Sequence, residues 1–174
     1  VLHSYYPIKK ISDLILINEK DKNPTESPDK NFIYVDISSV ENGTGIVSYD
    51  NKLLGKNAPS RARRYALSGS TLVSTVRPNL RAFAYISEEH KEAVYSTGFA
   101  ILRSKDEKRL LNKLIYIYFM NLEPLMEQII EKMPKGQYPS INKADIESLQ
   151  IPVPPIEIQK KIISECEAID AEYN

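Results

Sequence analysis

The spacing of apolar residues changes between residues 103 and 110, and this change limits the possible folds more than any other feature of the sequence. Before it, short apolar stretches are separated by turn signals such as Asn42-Gly43 and Ser68-Gly69, a pattern typical of short β-strands. After it, from Leu110 to Met133, apolar residues recur at steps of three and four, as on one face of an amphipathic helix. The sequence therefore predicts a β-rich unit followed by a helix.

Several short stretches in the first part of the chain carry the strand signal. They are residues 32–37, 46–49, 65–67, 71–76, 82–86 and 99–102. Strands this short and this closely spaced predict a curled sheet or a partial barrel. Pro124 lies inside the helical stripe, where its ring is expected to kink the helix or divide it in two. We therefore expect an α+β fold, with the amphipathic helix packed on the sheet.

A proline-rich segment, Ile151-Pro152-Val153-Pro154-Pro155, precedes the last part of the chain. Prolines favour an extended backbone, and Pro155 is well placed at or just before the first turn of a second helix. That helix carries apolar residues along one face, and they are Ile158, Ile162, Ile163, Cys166 and Ile169. The predicted division is a globular domain at residues 1–155 and the start of a C-terminal helix at residues 156–174.

The composition excludes several other classes of protein. A single cysteine, Cys166, excludes an intrachain disulfide framework and is typical of a reducing compartment, while two histidines, His3 and His90, make a zinc site improbable. The apolar run at residues 110–125 is interrupted by polar side chains, and no signal-peptide pattern follows Val1. We expect a cytoplasmic protein without a membrane segment, and the first residue, which is not Met, indicates a fragment or a processed chain.

The formal net charge of +0 hides an uneven distribution of charge along the chain. Residues 51–87 contain no Asp or Glu, whereas residues 142–174 are predominantly acidic. The basic residues of the acid-free window are Lys52, Lys56, Arg61, Arg63, Arg64, Arg77 and Arg81. Lys and Arg bind phosphates by releasing condensed counterions, and the arginine fork pairs with guanine O6 and N7. The window permits DNA binding through one face, although scattered cations are equally compatible with a solvated surface.

Two late segments carry a family resemblance, Gly136-Gln137-Tyr138-Pro139-Ser140-Ile141-Asn142-Lys143-Ala144-Asp145-Ile146 and then Ile151-Pro152-Val153-Pro154-Pro155-Ile156-Glu157-Ile158-Gln159-Lys160-Lys161-Ile162. They closely resemble the end of a target-recognition domain in type I restriction-modification specificity subunits. Weaker similarities occur at residues 34–37 with Gly43 and Gly45, and at residues 59–64, 69–78 and 95–99. The family often has an acidic residue where Ser70 follows Gly69, a departure that we interpret as a changed turn cap.

The resemblance implies a non-catalytic specificity component that inserts loops into the DNA major groove and reads one half of a split target. It implies that the C-terminal helix is a spacer, which pairs with a helix of a second recognition domain or of a second copy. Modification subunits that methylate adenine with S-adenosylmethionine dock on such subunits, and a restriction subunit joins them. This chain itself is expected to bind no cofactor, no metal and no membrane.

Candidate DNA-contacting residues come from the acid-free window and from the later loop. They are Lys56, Asn57, Ser60, Arg61, Arg63, Arg64, Ser74, Thr75, Arg77, Asn79, Arg81, Gln137, Tyr138 and Ser140. The apolar face of the C-terminal helix is the candidate partner contact, and the alternative is that this face folds back onto its own domain. Which of the polar side chains reach bases and which reach phosphates stays open.

Catalytic alternatives lack essential members of their sites. Val153-Pro154-Pro155-Ile156 has the prolines of an adenine methyltransferase loop without its Asp or Asn and its aromatic residue. Pro28-Asp29 and Glu89-His90-Lys91 are too far apart in sequence to indicate a nuclease, which needs carboxylates that converge on one metal ion. The rival from another class is a protein-interaction module, which explains the apolar helix face and leaves the arginine-rich window unexplained.

Overall fold

Three open β-sheets and five helices make up the fold, described here by a computed structural model for residues 5–136 and 139–173. The central sheet has four antiparallel strands in the order β2, β10, β7, β8. These strands are β2 (Ile15–Ile17), β10 (Phe99–Ser104), β7 (Ser70–Ser74) and β8 (Phe83–Ile86). Residues from both faces of this sheet are buried, so it forms the middle layer of the molecule.

The second sheet has five strands in the order β3, β6, β9, β4, β5. They are β3 (Lys20–Asp21), β6 (Ala62–Tyr65), β9 (Ala93–Ser96), β4 (Asn31–Val35) and β5 (Lys52–Leu54). Strands β4 and β9 run parallel, while the other neighbouring pairs in this sheet are antiparallel. The sheet therefore places strands from before the acid-free window (β3 and β4) and after it (β9) beside strands from within the window (β5 and β6).

A small two-stranded sheet joins the two ends of the chain. Strand β1 (Ile8–Lys10) pairs antiparallel with β11 (Gln150–Pro152), immediately before the last helix. Helix α1 (Ile11–Leu14) follows β1, and helix α4 (Lys143–Glu147) precedes β11. The Asn142 side chain caps α4 by accepting a hydrogen bond from the Asp145 backbone. These contacts fix where the C-terminal helix begins.

The long amphipathic stripe forms two helices, as its internal proline predicts. Helix α2 (Asn112–Asn121) ends one residue before α3 (Glu123–Lys132), and Pro124 lies in the first turn of α3. A proline is tolerated there because the first backbone N–H groups of a helix have no partner within the helix. Helix α5 (Ile156–Tyr173) then begins directly after Pro155. The boundary between a recognition domain and a spacer at residue 156 stays a prediction.

Alternating residues of β7 face two different hydrophobic clusters. Val73 packs with Phe83, Leu114 and Tyr118 in a cluster between the central sheet and the helices. Leu72 points to the opposite side, into a cluster between the two larger sheets. The alternation follows from the pleat of a β-strand, which sends neighbouring side chains to opposite faces. The prediction of a β-rich α+β fold with a packed amphipathic helix is confirmed.

Some predicted elements differ from the structure. Residues 46–49 form no strand; Val47 makes a single bridge with Val40, and Ile46 stays exposed. The strand predicted at residues 71–76 ends at Ser74, because Val76 bridges Ser140 in a different segment. None of the described helices is both long enough and apolar enough to cross a membrane.

Candidate nucleic-acid interface

The loop that follows β7 has an unusual backbone conformation at two arginines. Arg77 (φ 46°, ψ 53°) and Arg81 (φ 55°, ψ 48°) both lie in the left-handed region, on either side of a 3-10 turn at Pro78–Leu80. For a residue with a Cβ atom this conformation costs about 1–2 kcal/mol. Strain of this kind persists only where the surroundings impose it, and it concentrates at functional sites.

Three backbone hydrogen bonds from two neighbouring segments hold this loop in place. The Arg77 N–H donates to the Pro139 carbonyl at 2.7 Å, and the Ile141 N–H donates to the Thr75 carbonyl at 2.9 Å. At the other end of the loop, the Gly43 N–H donates to the Arg81 carbonyl at 2.8 Å. The strained backbone is therefore fixed against the segment at residues 139–141 and against the loop that contains Gly43.

A cleft of about 610 Å³ opens beside this loop. Its lining combines two exposed arginines, one carboxylate and several apolar side chains. The lining residues are Ile37, Ser38, Val40, Glu41, Asn42, Arg61, Val76, Arg77, Leu80, Ala82 and Pro139. Arg61 precedes β6 and Arg77 follows β7, so two different sheets supply the cations. The cleft, named here the Arg61–Arg77 cleft, brings together two of the predicted contacts.

Three other arginines of the window are hydrogen-bonded, paired or partly covered by groups of the protein itself. The Arg63 guanidinium donates to the Ala62 carbonyl at 2.8 Å. Arg64 is half-buried, and that burial lowers the pKa of its guanidinium, an effect that the nearby Asp21 carboxylate opposes. Arg81 donates to the Glu123 carboxylate at 2.8 Å. The acid-free window thus meets carboxylates from distant parts of the sequence once the chain is folded.

The predicted hydroxyl and amide contacts divide into buried and exposed groups. The buried Ser74 donates to the Val76 carbonyl at 2.7 Å, and the Thr75 hydroxyl donates to the Gly98 carbonyl at 2.7 Å. Both side chains therefore support the loop from within. Ser60, Asn79 and Ser140 are exposed, and Ser140 pairs with the loop through its bridge to Val76.

Lys56 and Asn57 form a separate exposed turn and are not among the residues that line the cleft. The turn begins at Gly55, where a Cβ atom would lie 2.2 Å from the Ser27 carbonyl oxygen and 2.3 Å from that of Pro24. A glycine is required by this close approach of two backbones. Gln137 and Tyr138 lie outside the described residues.

Sequence reasoning missed the carboxylate and the apolar part of the cleft. Glu41 lies in the loop after the 3-10 turn at Ile37–Ser39, which the Asp36 side chain caps by accepting from the Ser39 N–H at 3.1 Å. Only the Asn42-Gly43 turn signal marks that loop in the sequence. Val76 and Leu80 were not predicted, because an apolar side chain in a loop carries no sequence signal for a polar contact.

His90 and Cys166 are packed against other side chains of the fold. The His90 ring stacks on Tyr49 with 4.7 Å between ring centroids. Burial raises the pKa of the Cys166 thiol, the opposite of the change that activates a cysteine nucleophile. No group of three or more His, Cys, Asp or Glu side chains that could hold a metal ion occurs in residues 5–136 and 139–173.

The apolar face of α5 is divided between the domain and the surface. Ile162 and Ile163 are half-buried and pack against the cluster beneath the helices, and Ile158 is also half-buried. Cys166 and Ile169 both line a cavity beside α2, and Ile169 is 55% exposed. The helix therefore lies against its own domain along α2, and its apolar face is most exposed at Ile169.

Gln159 anchors α5 to the domain. Its side chain is fully buried and accepts from the Leu111 N–H at 2.9 Å, while its amide nitrogen donates to the carbonyls of Arg109 and Pro154, each at 2.9 Å. These bonds connect the helix to the segment before α2 and to the proline-rich segment. A single side chain thus ties the direction of α5 to two other parts of the chain.

Similar solved structures include chains of type I restriction-modification systems. An HsdS subunit from Thermoanaerobacter tengcongensis superposes with a TM-score of 0.83 at 29% identity, covering 97% of this chain and 43% of that one. A chain from a structure concerning complex assembly and conformational transition of the type I R-M system gives a TM-score of 0.80 at 28% identity, covering 96% of this chain and 42% of that one.

A third structure, an S subunit of a type I restriction-modification system from M. genitalium, shares the fold. Its TM-score is 0.56 at 14% identity, and the match covers 95% of this chain and 39% of that one. The chain spans less than half the length of these three structures. No curated protein matches it.

Residues 4–174 match the family model for the type I restriction modification DNA specificity domain. This match confirms the resemblance read from the proline-rich and glutamine-containing segments. It also confirms the expectation of a specificity component in place of a catalytic one. On the evidence of the family match and the two closely superposing structures, the chain belongs to the type I restriction modification DNA specificity domain family.

Proposed function

We propose that this chain reads one half of a split double-stranded DNA target, and that the Arg61–Arg77 cleft is the centre of the reading surface. The observation that carries the proposal is the loop at residues 75–81, whose strained backbone is held by hydrogen bonds and presents Arg77 to the cleft. A fixed backbone reduces the conformational entropy that is lost on binding, so it favours recognition of one geometry over many.

The residue types of the cleft suit the edges of base pairs. Arginine binds guanine O6 and N7 through two parallel hydrogen bonds, and each such pair gives roughly 1–3 kcal/mol of discrimination. Arg61 and Arg77 are both exposed and line the same cleft, so one stretch of DNA is able to meet both. Exposed Ser60, Asn79 and Ser140 provide further hydrogen-bonding groups on the adjoining segments.

The remaining candidates take supporting roles in this proposal. Lys56 and Asn57, on their separate turn, suit contacts to the phosphate backbone, which position a protein without reading sequence. Arg63 and Arg81 already bond to protein groups and Arg64 is half-buried near Asp21, and all three contribute positive potential near the surface. Ser74 and Thr75 act on the loop conformation from inside.

The wider assembly is proposed from the family. The domain directs adenine-methylating modification subunits, and through them a restriction subunit, to its half of the target in the cytoplasm. Helix α5 serves as a spacer that pairs with a helix of a second recognition domain or of a second copy. Ile169 and the outer parts of Ile158, Ile162, Ile163 and Cys166 supply that contact. The chain itself supplies no cofactor chemistry.

Binding to mixed-sequence duplex DNA at two salt concentrations tests the proposal. We expect binding at low salt that weakens as salt rises, since neutralised phosphates release counterions. The Arg61→Ala/Arg77→Ala variant should bind more weakly, and Lys9→Ala/Lys10→Ala is the matched control because it removes the same charge from exposed positions on β1. A protein that ignores duplex DNA at low salt would instead be a protein-interaction module.

A further inference from the structure

Two exposed apolar side chains lie among the polar groups of the Arg61–Arg77 cleft. Val76 is 37% exposed and Leu80 is 47% exposed, and both belong to the strained loop. Among the described residues, seven large apolar side chains are exposed, and the cleft contains two of them. Scattered exposed apolar residues need no explanation, but two within one lined cleft form a local feature.

The hydrophobic clusters do not account for these two side chains. Neither Val76 nor Leu80 is among the buried or partly buried members of these clusters, although the neighbouring Val73 and Phe83 are buried members. The loop instead turns through the left-handed conformations of Arg77 and Arg81, and Leu80 lies between them on the 3-10 turn. The loop thus combines a strained backbone with apolar side chains that stay at the surface.

The mixture of groups in the cleft distinguishes base edges from phosphates. A phosphate offers no partner to an apolar side chain and repels the Glu41 carboxylate. The major groove offers a partner to each group: guanine for arginine, the cytosine amino group for a carboxylate, and the C5-methyl group of thymine for an apolar side chain. Both exposed arginines and Glu41 line this cleft beside Val76 and Leu80.

We infer that Val76 and Leu80 form an apolar contact for the C5-methyl group of a thymine, beside the base pair that Arg77 reads. The inference rests on the proposed function and names part of the sequence that this site selects. The Leu80 N–H donates to the Arg77 carbonyl at 3.0 Å, so the two residues lie one turn apart. They are therefore placed to meet the same base pair or neighbouring ones.

Deoxyuridine tests this inference because it lacks only the C5-methyl group of thymine. The intact natural protein first selects bound sequences from randomised duplex DNA, and each thymine of the selected site is then replaced singly by deoxyuridine. We expect one or two replacements to weaken binding about threefold to fivefold, the effect of losing one buried methyl-sized group. The other replacements should leave the affinity unchanged.

Alanine variants connect the lost methyl group to the two side chains. In Leu80→Ala and in Val76→Ala, the deoxyuridine penalty at that position should fall below about twofold, because the contact is already lost. Ile130→Ala is the matched control, since it shortens an exposed apolar side chain on α3 and should retain the full penalty. Both loop positions are exposed, and circular dichroism on each variant checks that the fold is retained.

The outcomes separate this inference from the proposed function. A protein that selects no sequence contradicts the proposed function itself. A protein that selects a sequence without thymine, or whose binding ignores every deoxyuridine replacement, overturns the thymine contact alone. The same conclusion follows if Leu80→Ala and Val76→Ala both retain the full penalty.

Discussion

Arg77 combines two properties that usually exclude each other, a long charged side chain and a left-handed backbone. Glycine is the residue that most readily adopts φ near 46°, so an arginine at this position sacrifices stability for its side chain. The Pro139 carbonyl, which accepts from the Arg77 N–H, holds the backbone against that preference. At the scale of single residues, the site therefore has a charged side chain at a position whose backbone conformation favours glycine.

Substitutions at Arg77 should reveal the strain directly. Arg77→Gly should be more stable than Arg77→Ala by about 1 kcal/mol, because glycine adopts the left-handed conformation without the steric cost of a Cβ atom. Chemical denaturation measures the difference in the free energy of unfolding. Arg61 is the control, since it has no positive φ, and there the alanine variant should be the more stable. The same order of stability at both positions would contradict the account.

Helix α5 shows how a whole element is fixed by a few contacts. Ile162 and Ile163 supply apolar contact with the domain, while Gln159 supplies three hydrogen bonds in a fully buried position. Hydrogen bonds are directional, so they set the angle of a helix more closely than apolar contact does. The direction of α5 relative to the rest of the domain therefore depends strongly on one amide side chain.

Removing the Gln159 amide should destabilise the domain. Gln159→Ala leaves the part-buried Leu111 N–H without its partner, and an unsatisfied donor shielded from water costs about 1–3 kcal/mol. Gln128 is a matched control, because its side chain also bonds in both directions, to the backbone of Gln150, in an exposed setting. We expect Gln128→Ala to lose less than about 1 kcal/mol by urea denaturation. Equal losses would contradict the anchoring role of Gln159.

Local signals predicted the helices better than the strands. The position of Pro124 predicts the break between α2 and α3, and Pro155 predicts the start of α5, because a proline acts on its own turn. The stretch at residues 46–49 carried a strand signal but found no continuous partner, and Val47 makes only one bridge. Strand β9 was not predicted, and its parallel pairing with β4 depends on residues about sixty positions away.

The same difference between local and distant information applies to the site. The sequence shows which arginines occur, and two of them, Arg61 and Arg77, do line one cleft. Whether an arginine stays available depends on carboxylates elsewhere, such as Glu123, which pairs with Arg81 from 42 residues away. The sequence does not indicate that Glu41, Val76 and Leu80 line the cleft, because this depends on which residues lie beside them after folding.

At the scale of the whole molecule, a chain with no formal net charge places two exposed arginines from distant parts of the sequence at one cleft. Folding brings Glu123 to Arg81 and Asp21 near Arg64, and it leaves Arg61 and Arg77 exposed at the cleft. The apolar face of α5 lies along α2 and is most exposed at Ile169. In the proposed function, the cleft is the surface that binds DNA and the exposed part of the α5 face is the surface that binds a partner helix.

Two substitutions on α5 should separate packing within the domain from association. Ile162→Glu should lower the free energy of unfolding by about 2 kcal/mol or more, because it places a charge against the core. Ile169→Glu should leave stability nearly unchanged, since the side chain is 55% exposed, and should weaken pairing of the helix with its partner. Thermal unfolding and sedimentation velocity measure the two effects. Unchanged association in Ile169→Glu would remove this residue from the partner contact.

The most direct measurement of the central claim is selection of binding sites from randomised duplex DNA, followed by sequencing, for the natural protein and for Arg77→Ala. The account predicts a defined sequence for the natural protein and, for Arg77→Ala, loss of preference at one base pair with the others retained. Uniformly weaker binding with every preference intact would place Arg77 on phosphate. Absence of any selected sequence with the natural protein would contradict the claim that this domain reads DNA.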